Sequence, residues 1–219
     1  LNLSTISKNE SEIVIGAMTP LRNLETDTLI KDYANAILRK SVENIVGIQL
    51  RNCVTIGGSV AGRYPFSDPI TALVALDAQV EFHKLGRIPL YSYLHGKGIK
   101  DILTAIIIPN ISCLGAFQSI RKSATDYAIL NAAVCRKKDQ YRIAVGSRPG
   151  KTVLVDTVAD FLQEKTLTPE LAEEAGKMAV KHLEFGDNPR GSSDYRKAVC
   201  PVLIKRALLN ICLEDQHAA

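Results

Sequence analysis

The chain has 219 residues, 46% of them hydrophobic and 23% charged, which is enough for one large core or two modest ones. Its net charge of +4 comes from 27 basic and 23 acidic residues and is scattered; with 5% aromatics and no Trp, this excludes a nucleic-acid binder built on basic tracts and stacking platforms. No apolar run approaches the roughly 18 residues of a membrane span and no charged-then-apolar leader opens the chain, so a cytoplasmic protein without membrane or nucleic-acid partners is expected.

In chain order, Ile13–Ala17 reads as a strand, and Thr19 followed by Pro20 reads as a capped helix start leading into LRNLET. From Asp27 to about Lys40, the apolar positions Leu29, Ile30, Tyr33, Ala34, Ile37 and Leu38 recur at helical spacing. The next stretch, RNCVTIGGSVAGRYPFSD from Arg51 to Asp68, carries the most information. Cys53, Val54, Thr55 and Ile56 favour extended backbone. Gly57 and Gly58 then permit positive φ and remove the Cβ atoms that would hold a phosphate-bearing molecule at a distance. Asp68 is expected to cap a helix that starts at Pro69 and buries Ile70, Leu73, Val74 and Leu76. Taken alone, these residues describe a strand, a tight turn and a capped helix.

Gln79–Phe82 and Arg87–Leu90 have the character of short strands, and Leu103–Ile108 of a buried strand ended by Pro109, which completes one α+β unit. A second unit is expected from about Ser112. Ala116–Lys122, Ala128–Arg136 and Tyr141–Val145 are β-like runs separated by polar breaks such as KKDQ, the pattern of a three-stranded antiparallel meander. Helices are expected over Val158–Gln163, from Pro169 with Thr168 as its cap, and from about Ser193 onward. Pro201 lies inside the last of these, where an unbroken helix would lose about 3 kcal/mol, so a kink or restart is expected.

Cysteines at 53, 113, 135, 200 and 212 form no CxxC and no His–Cys cluster, which argues against an iron–sulfur or zinc site on this chain. Cys53 and Cys135 fall in β-like runs and read as small hydrophobes. No histidine shares a triad spacing with a serine and a carboxylate, so no catalytic residue is expected.

The order Arg51, Asn52, Thr55, Ile56, Gly57, Gly58, then Ser67 and Asp68, resembles the TIGG segment of the FAD-binding domain in the flavoprotein (medium) subunit of molybdenum hydroxylases. That group includes xanthine dehydrogenase and carbon monoxide dehydrogenase. One departure is Ser59, where the family usually has Asn or Asp; its hydroxyl still donates and accepts hydrogen bonds. The later segment PRGSSDYRKAVCPVLIKRAL is similar to the closing signature of the same subunits, at Ser193, Tyr195, Arg196, Lys205, Arg206, Ala207 and Leu208. Alone, that segment reads as an amphipathic helix with a solvated basic edge.

The resemblance implies an α+β chain. Residues 1–111 would be the second part of a two-subdomain FAD-binding domain, and 112–219 a C-terminal domain with a three-stranded antiparallel sheet and helices. The family's first glycine-rich loop, of the AGGTD type, is not found. LNLSTI looks like the strand that follows that subdomain, so a fragment carrying about half of the flavin pocket is expected. By the same resemblance, Thr55, Ile56, Gly57, Gly58 and Ser59 face the FAD diphosphate and ribityl chain, and Asp68 supplies a carboxylate contact. Leu103 lies near the isoalloxazine ring, and Arg121, or Lys122 one register on, is the basic residue on the flavin side. Without the family, Leu103 reads as a core strand residue, Arg121 as a surface cation and Tyr64 as a packed loop aromatic.

The function so implied is electron transfer. A molybdopterin-binding large subunit hydroxylates the substrate, a [2Fe-2S] small subunit relays electrons, and FAD on this chain passes them to NAD or another acceptor. A cofactor-free assembly module that keeps the flavoprotein scaffold is the alternative.

Overall fold

The computed structural model describes residues 3–218, with side chains up to Leu213, so the first two residues of LNLSTI lie outside it. β1 (Ile6–Lys8) and β2 (Glu12–Gly16) form a hairpin whose turn is held by Asn9: its side-chain carbonyl accepts the N–H groups of Ser11 and Glu12. In β2, Ile13 and Ile15 point into the core with no exposure, as period-2 alternation requires. Five helices follow: α1 (Leu21–Thr26), α2 (Tyr33–Val42), α3 (Ile48–Cys53), α4 (Ile56–Ala61) and α5 (Asp68–Ala75). After them come β3 (Gln79–Phe82), β4 (Gly86–Pro89), α6 (Leu90–His95) and β5 (Leu103–Pro109). The sheet runs β1-β2-β5-β3-β4 with all pairings antiparallel, and the apolar β5 takes its centre.

Two helix starts differ from expectation. Pro20, not Thr19, is the cap residue of α1 and makes no side-chain bond, while Thr19 is fully buried. The helix expected from Asp27 begins only at Tyr33, because the Asp27 carboxylate accepts the N–H of Leu29 and turns the chain locally. Ala34, Asn35 and Ala36 then take left-handed φ values of 48°, 56° and 60°. The neighbouring Gly115 makes room for this turn, since a Cβ there would lie 2.6 Å from the Ala34 carbonyl oxygen.

The meander is present as β6 (Leu114–Ile120), β7 (Leu130–Lys137) and β8 (Gln140–Gly146), and a two-residue β9 (Val153–Leu154) adds a fourth strand beside β8. β7 is buried along most of its length because both faces of this sheet are covered: Ala133 and Cys135 face the core shared with α2 and α5, whereas Ala132 and Val134 face the helices that follow. Those helices are α7 (Asp156–Leu162), α8 (Pro169–Val180) and α9 (Ser193–Ala218). Thr168 caps α8 as expected, its hydroxyl accepting the Leu171 N–H at 3.2 Å. Of the kink or restart expected at Pro201, a restart does not occur: α9 continues through it. Pro201 is packed backbone to backbone on α8, its carbonyl 2.5 Å from where a Cβ of Gly176 would stand, so tertiary packing offsets the missing hydrogen bond.

Arg196, at the start of α9, has no solvent exposure. Its guanidinium donates to the carbonyls of Ile129 (2.9 Å), Ser147 (3.3 Å), Gly186 (2.8 Å) and Gly191, and to Asn188 Oδ1 (2.7 Å). This residue, named in the closing signature but without a role, therefore pins the 186–191 turn to the second sheet.

Candidate flavin cleft

The expected strand at 53–56 is instead a junction of two helices. α3 ends at Cys53, which is exposed, and only Val54 and Thr55 are extended, with Thr55 bridging Pro20. The reason is the Thr55 hydroxyl: it accepts the Gly58 N–H at 3.1 Å and so caps α4, which overrides the β-propensity of the run. Neither glycine needs positive φ. Gly57 is required by packing, because a Cβ there would lie 2.4 Å from the Ala17 carbonyl oxygen at the end of β2. Gly58 is exposed and would meet only Thr55 Oγ1, at 3.1 Å.

The backbone N–H groups of this turn have acceptors within the chain: Ile56 to Thr19 O, Gly57 to Ala17 O, Gly58 to Thr55 Oγ1 and Ser59 to Thr55 O. The faces of Thr55, Gly58 and Ser59 remain turned to a cleft of about 560 Å³. Ile56 and Gly57 are buried behind it.

Asp68 does not cap α5: it is itself the first helical residue, and its carboxylate is engaged elsewhere. The carboxylate turns inward instead and is 3% exposed. It accepts from Arg121 Nη2, past the end of β6, and from Asn131 Nδ2 in β7 at 2.5 Å. Asn131 also donates to Ser147 Oγ at 3.1 Å and accepts from Thr71 Oγ1 at 2.9 Å, and the Thr71 and Thr152 hydroxyls are 3.1 Å apart. Gly146 leaves the space for this network: a Cβ there would lie 2.2 Å from Thr71 Oγ1. Burial pushes the Asp68 carboxyl up, while the Arg121 guanidinium and Asn131 amide pull the other way.

The cleft lies between these two features. Ile45, Val46, Leu50 and Val54 form its apolar wall, and Tyr64, Phe66 and Tyr127 its aromatic rim. Tyr64 and Phe66 stack at 5.2 Å, Phe66 and Tyr127 stand 4.4 Å apart, and Arg190 lies 4.7 Å from the Tyr127 ring centre. Ser67 and Arg121 line the cleft, and their buried Oγ and Nε have no hydrogen-bond partner among the described residues. Arg121 also borders a second, open cleft of about 520 Å³ that includes Lys122, Arg190 and Tyr195 at the start of α9.

Of the residues singled out from the sequence, Thr55, Gly58, Ser59, Tyr64, Asp68 and Arg121 therefore meet at one cleft. Leu103 starts β5 opposite Phe82, partly buried and outside the cleft lining. Asn131, Phe66 and Tyr127 carry no sequence expectation, and Ser67 is named only as part of the motif. For Asn131 a signal existed: a lone amide in the otherwise apolar run LNAAVC, where burial demands partners.

Residues 1–111 match the FAD binding domain in molybdopterin dehydrogenase, and residues 115–211 the CO dehydrogenase flavoprotein C-terminal domain. The chain is 29% identical over 174 residues to the nicotine 6-hydroxylase medium subunit of Paenarthrobacter nicotinovorans, covering 74% of this chain and 62% of that one. It is 25% identical over 221 residues to the carbon monoxide dehydrogenase medium chain of Hydrogenophaga pseudoflava, covering 94% and 77%. In structure it is similar to quinoline 2-oxidoreductase from Pseudomonas putida 86, with a TM-score of 0.88 at 22% identity over 97% of this chain and 79% of that one, a likeness of fold. Among the described residues, no helix is long and apolar enough to cross a membrane, and no group of three or more metal-ligating side chains occurs.

Proposed function

The chain belongs to the family of FAD-binding medium subunits of molybdopterin dehydrogenases, and from that premise we propose that it holds FAD in the cleft between α4, the start of α5 and the end of β6. The observation that carries this reading is that Thr55, Gly58, Ser59 and the Asp68-held Arg121 converge on one cleft with apolar and aromatic walls. The cleft volume lies within the usual range for cofactor sites. FAD, when bound, supplies the electron-carrying chemistry, and the protein supplies position and electrostatics.

In this assignment Thr55, Gly58 and Ser59 receive the diphosphate and ribityl chain, and Gly58 allows the closest approach because it has no Cβ. Ile56 and Gly57 hold that surface from behind, and Leu103 is assigned to the ring side by resemblance. Arg121 presents a fixed cation, oriented by Asp68 and by the Asp126 carbonyl at 2.9 Å. Residues 1–111 form the FAD-binding unit and 112–219 the C-terminal unit. The chain works in the cytoplasm with a molybdopterin-binding large subunit and a [2Fe-2S] small subunit, and passes electrons to NAD or another acceptor; the basic side chains beside Arg121 suit an anionic one.

One observation favours the cofactor-free assembly module as a second reading: the N–H groups of the TIGG turn already have acceptors in the chain. Purification of the native complex separates the two. A flavin absorption spectrum in the fraction that carries molybdenum and iron is the expected result. The same complex without flavin assigns this chain to assembly.

A further inference from the structure

Behind the apolar wall of the cleft lies a buried ion pair that touches neither the glycine turn nor Arg121. Glu25 in α1 and Arg51 in α3 are 8% and 6% exposed, with Arg51 Nε 2.8 Å from Glu25 Oε1. Arg22 shares the Glu25 carboxylate. Taking such charges out of water is expensive, and apolar side chains would pack α1 on α3 as well. The direction of the guanidinium gives the pair a use: Arg51 Nη1 donates to the carbonyl of Ile45 at 2.8 Å, in the 43–47 loop that joins α2 to α3.

That loop carries a strained residue. Val46 has φ 47°, a left-handed conformation that a β-branched side chain rarely takes. Strain of this kind persists only where the surroundings fix the backbone. Before Val46, the Ile45 carbonyl is held by Arg51; after it, Gly47 is the N-cap residue of α3 and its carbonyl accepts the Arg51 N–H at 3.2 Å. Arg51 thus grips the loop on both sides of Val46. The same loop supplies Ile45 and Val46 to the cleft lining, and Val46 is 45% exposed there. Strain at a half-exposed position does nothing for folding, whereas an apolar contact fixed in advance loses less freedom when a ligand binds. α1 is in turn tied to the glycine turn, since the Leu21 N–H donates to the Val54 carbonyl at 2.9 Å and Pro20 bridges Thr55. One frame therefore sets both walls of the cleft.

We propose that Glu25 and Arg51 are positioning residues of the cleft: they hold Val46 in its left-handed conformation against the bound cofactor and keep the 43–47 wall in register with Thr55 and Gly58. Neither residue is part of the cleft lining, so both act through the loop. This inference rests on the assignment of FAD to the cleft.

The test uses the purified native complex with two substitutions. Arg51→Lys keeps the charge beside Glu25 but lacks the second arm of the guanidinium, and Val46→Gly takes φ 47° without strain. Flavin release after dilution is followed by fluorescence, and Tm is measured on the flavin-free proteins. Both variants should release flavin about 10-fold faster than wild type, as expected for one lost contact or hydrogen bond. Val46→Gly should do so at an unchanged or higher Tm, which a residue serving the fold alone would not. Arg51→Lys should also raise hydrogen exchange over residues 43–50. Wild-type release rates from the folded variants would overturn the proposal, as would unchanged exchange in Arg51→Lys. A wild-type complex without flavin would instead overturn the cleft assignment, and the exchange result then decides whether the pair holds the loop.

Discussion

Asp68→Asn is expected to cost about 3–5 kcal/mol of folding stability, the range for breaking one side of a buried ion pair. If Asp68 were a helix cap, the change would be almost neutral, since Asn caps as well as Asp. The structure places the carboxylate elsewhere: 3% exposed, against an Arg121 side chain that is itself 9% exposed. Loss of the negative charge leaves that guanidinium buried without its counter-ion. Adding Arg121→Gln to Asp68→Asn should then recover part of the loss, which gives the pair a coupling energy in urea unfolding. A loss below about 1 kcal/mol for Asp68→Asn would show that the pair does not hold α5 to the second sheet.

Gly57→Val should be nearly as damaging, and for a purely steric reason. The first atom of the new side chain would stand 2.4 Å from the Ala17 carbonyl oxygen and 2.6 Å from Ala17 Cβ. That carbonyl is also the acceptor for the Gly57 N–H at 2.8 Å, so backbone on both sides must move. Overpacking of this kind costs about 1–3 kcal/mol or more, and for a chain of this size 3 kcal/mol lowers Tm by roughly 6–12 °C. Gly58→Ala, one residue on, meets only the Thr55 hydroxyl and should stay within about 1 kcal/mol of wild type. Equal melting temperatures for the two variants would contradict the division of labour between the glycines.

Much of the frame could be read from residue order, because period and punctuation agree there. Gln79–Phe82 alternates and ends at a turn, the meander breaks at KKDQ, and Thr168-Pro169 carries both signals of a helix start. The cleft was legible only in part. Cys53 to Ile56 are good strand formers, and nothing local shows that the Thr55 hydroxyl will spend itself on capping a six-residue helix. The direction of Asp68 depends on Arg121 and Asn131, more than fifty residues away, and a contact of that range leaves no trace in local pattern. β9 escaped because two residues carry no period. Ser67, Phe66 and Tyr127 belong to the cleft through the packing of loops on each other, which is decided in three dimensions.

The proposal that the cleft holds FAD is tested most directly by flavin content. The full-length protein and its Gly58→Val variant are purified side by side, and flavin per chain is read from visible absorbance, with Tm measured on the same samples. The wild type should carry one FAD. Gly58→Val should melt within a few degrees of it yet lose the flavin, because its new side chain occupies the space that the missing Cβ keeps open toward the cleft. A Gly58→Val protein that keeps stoichiometric flavin would contradict the assignment of this cleft.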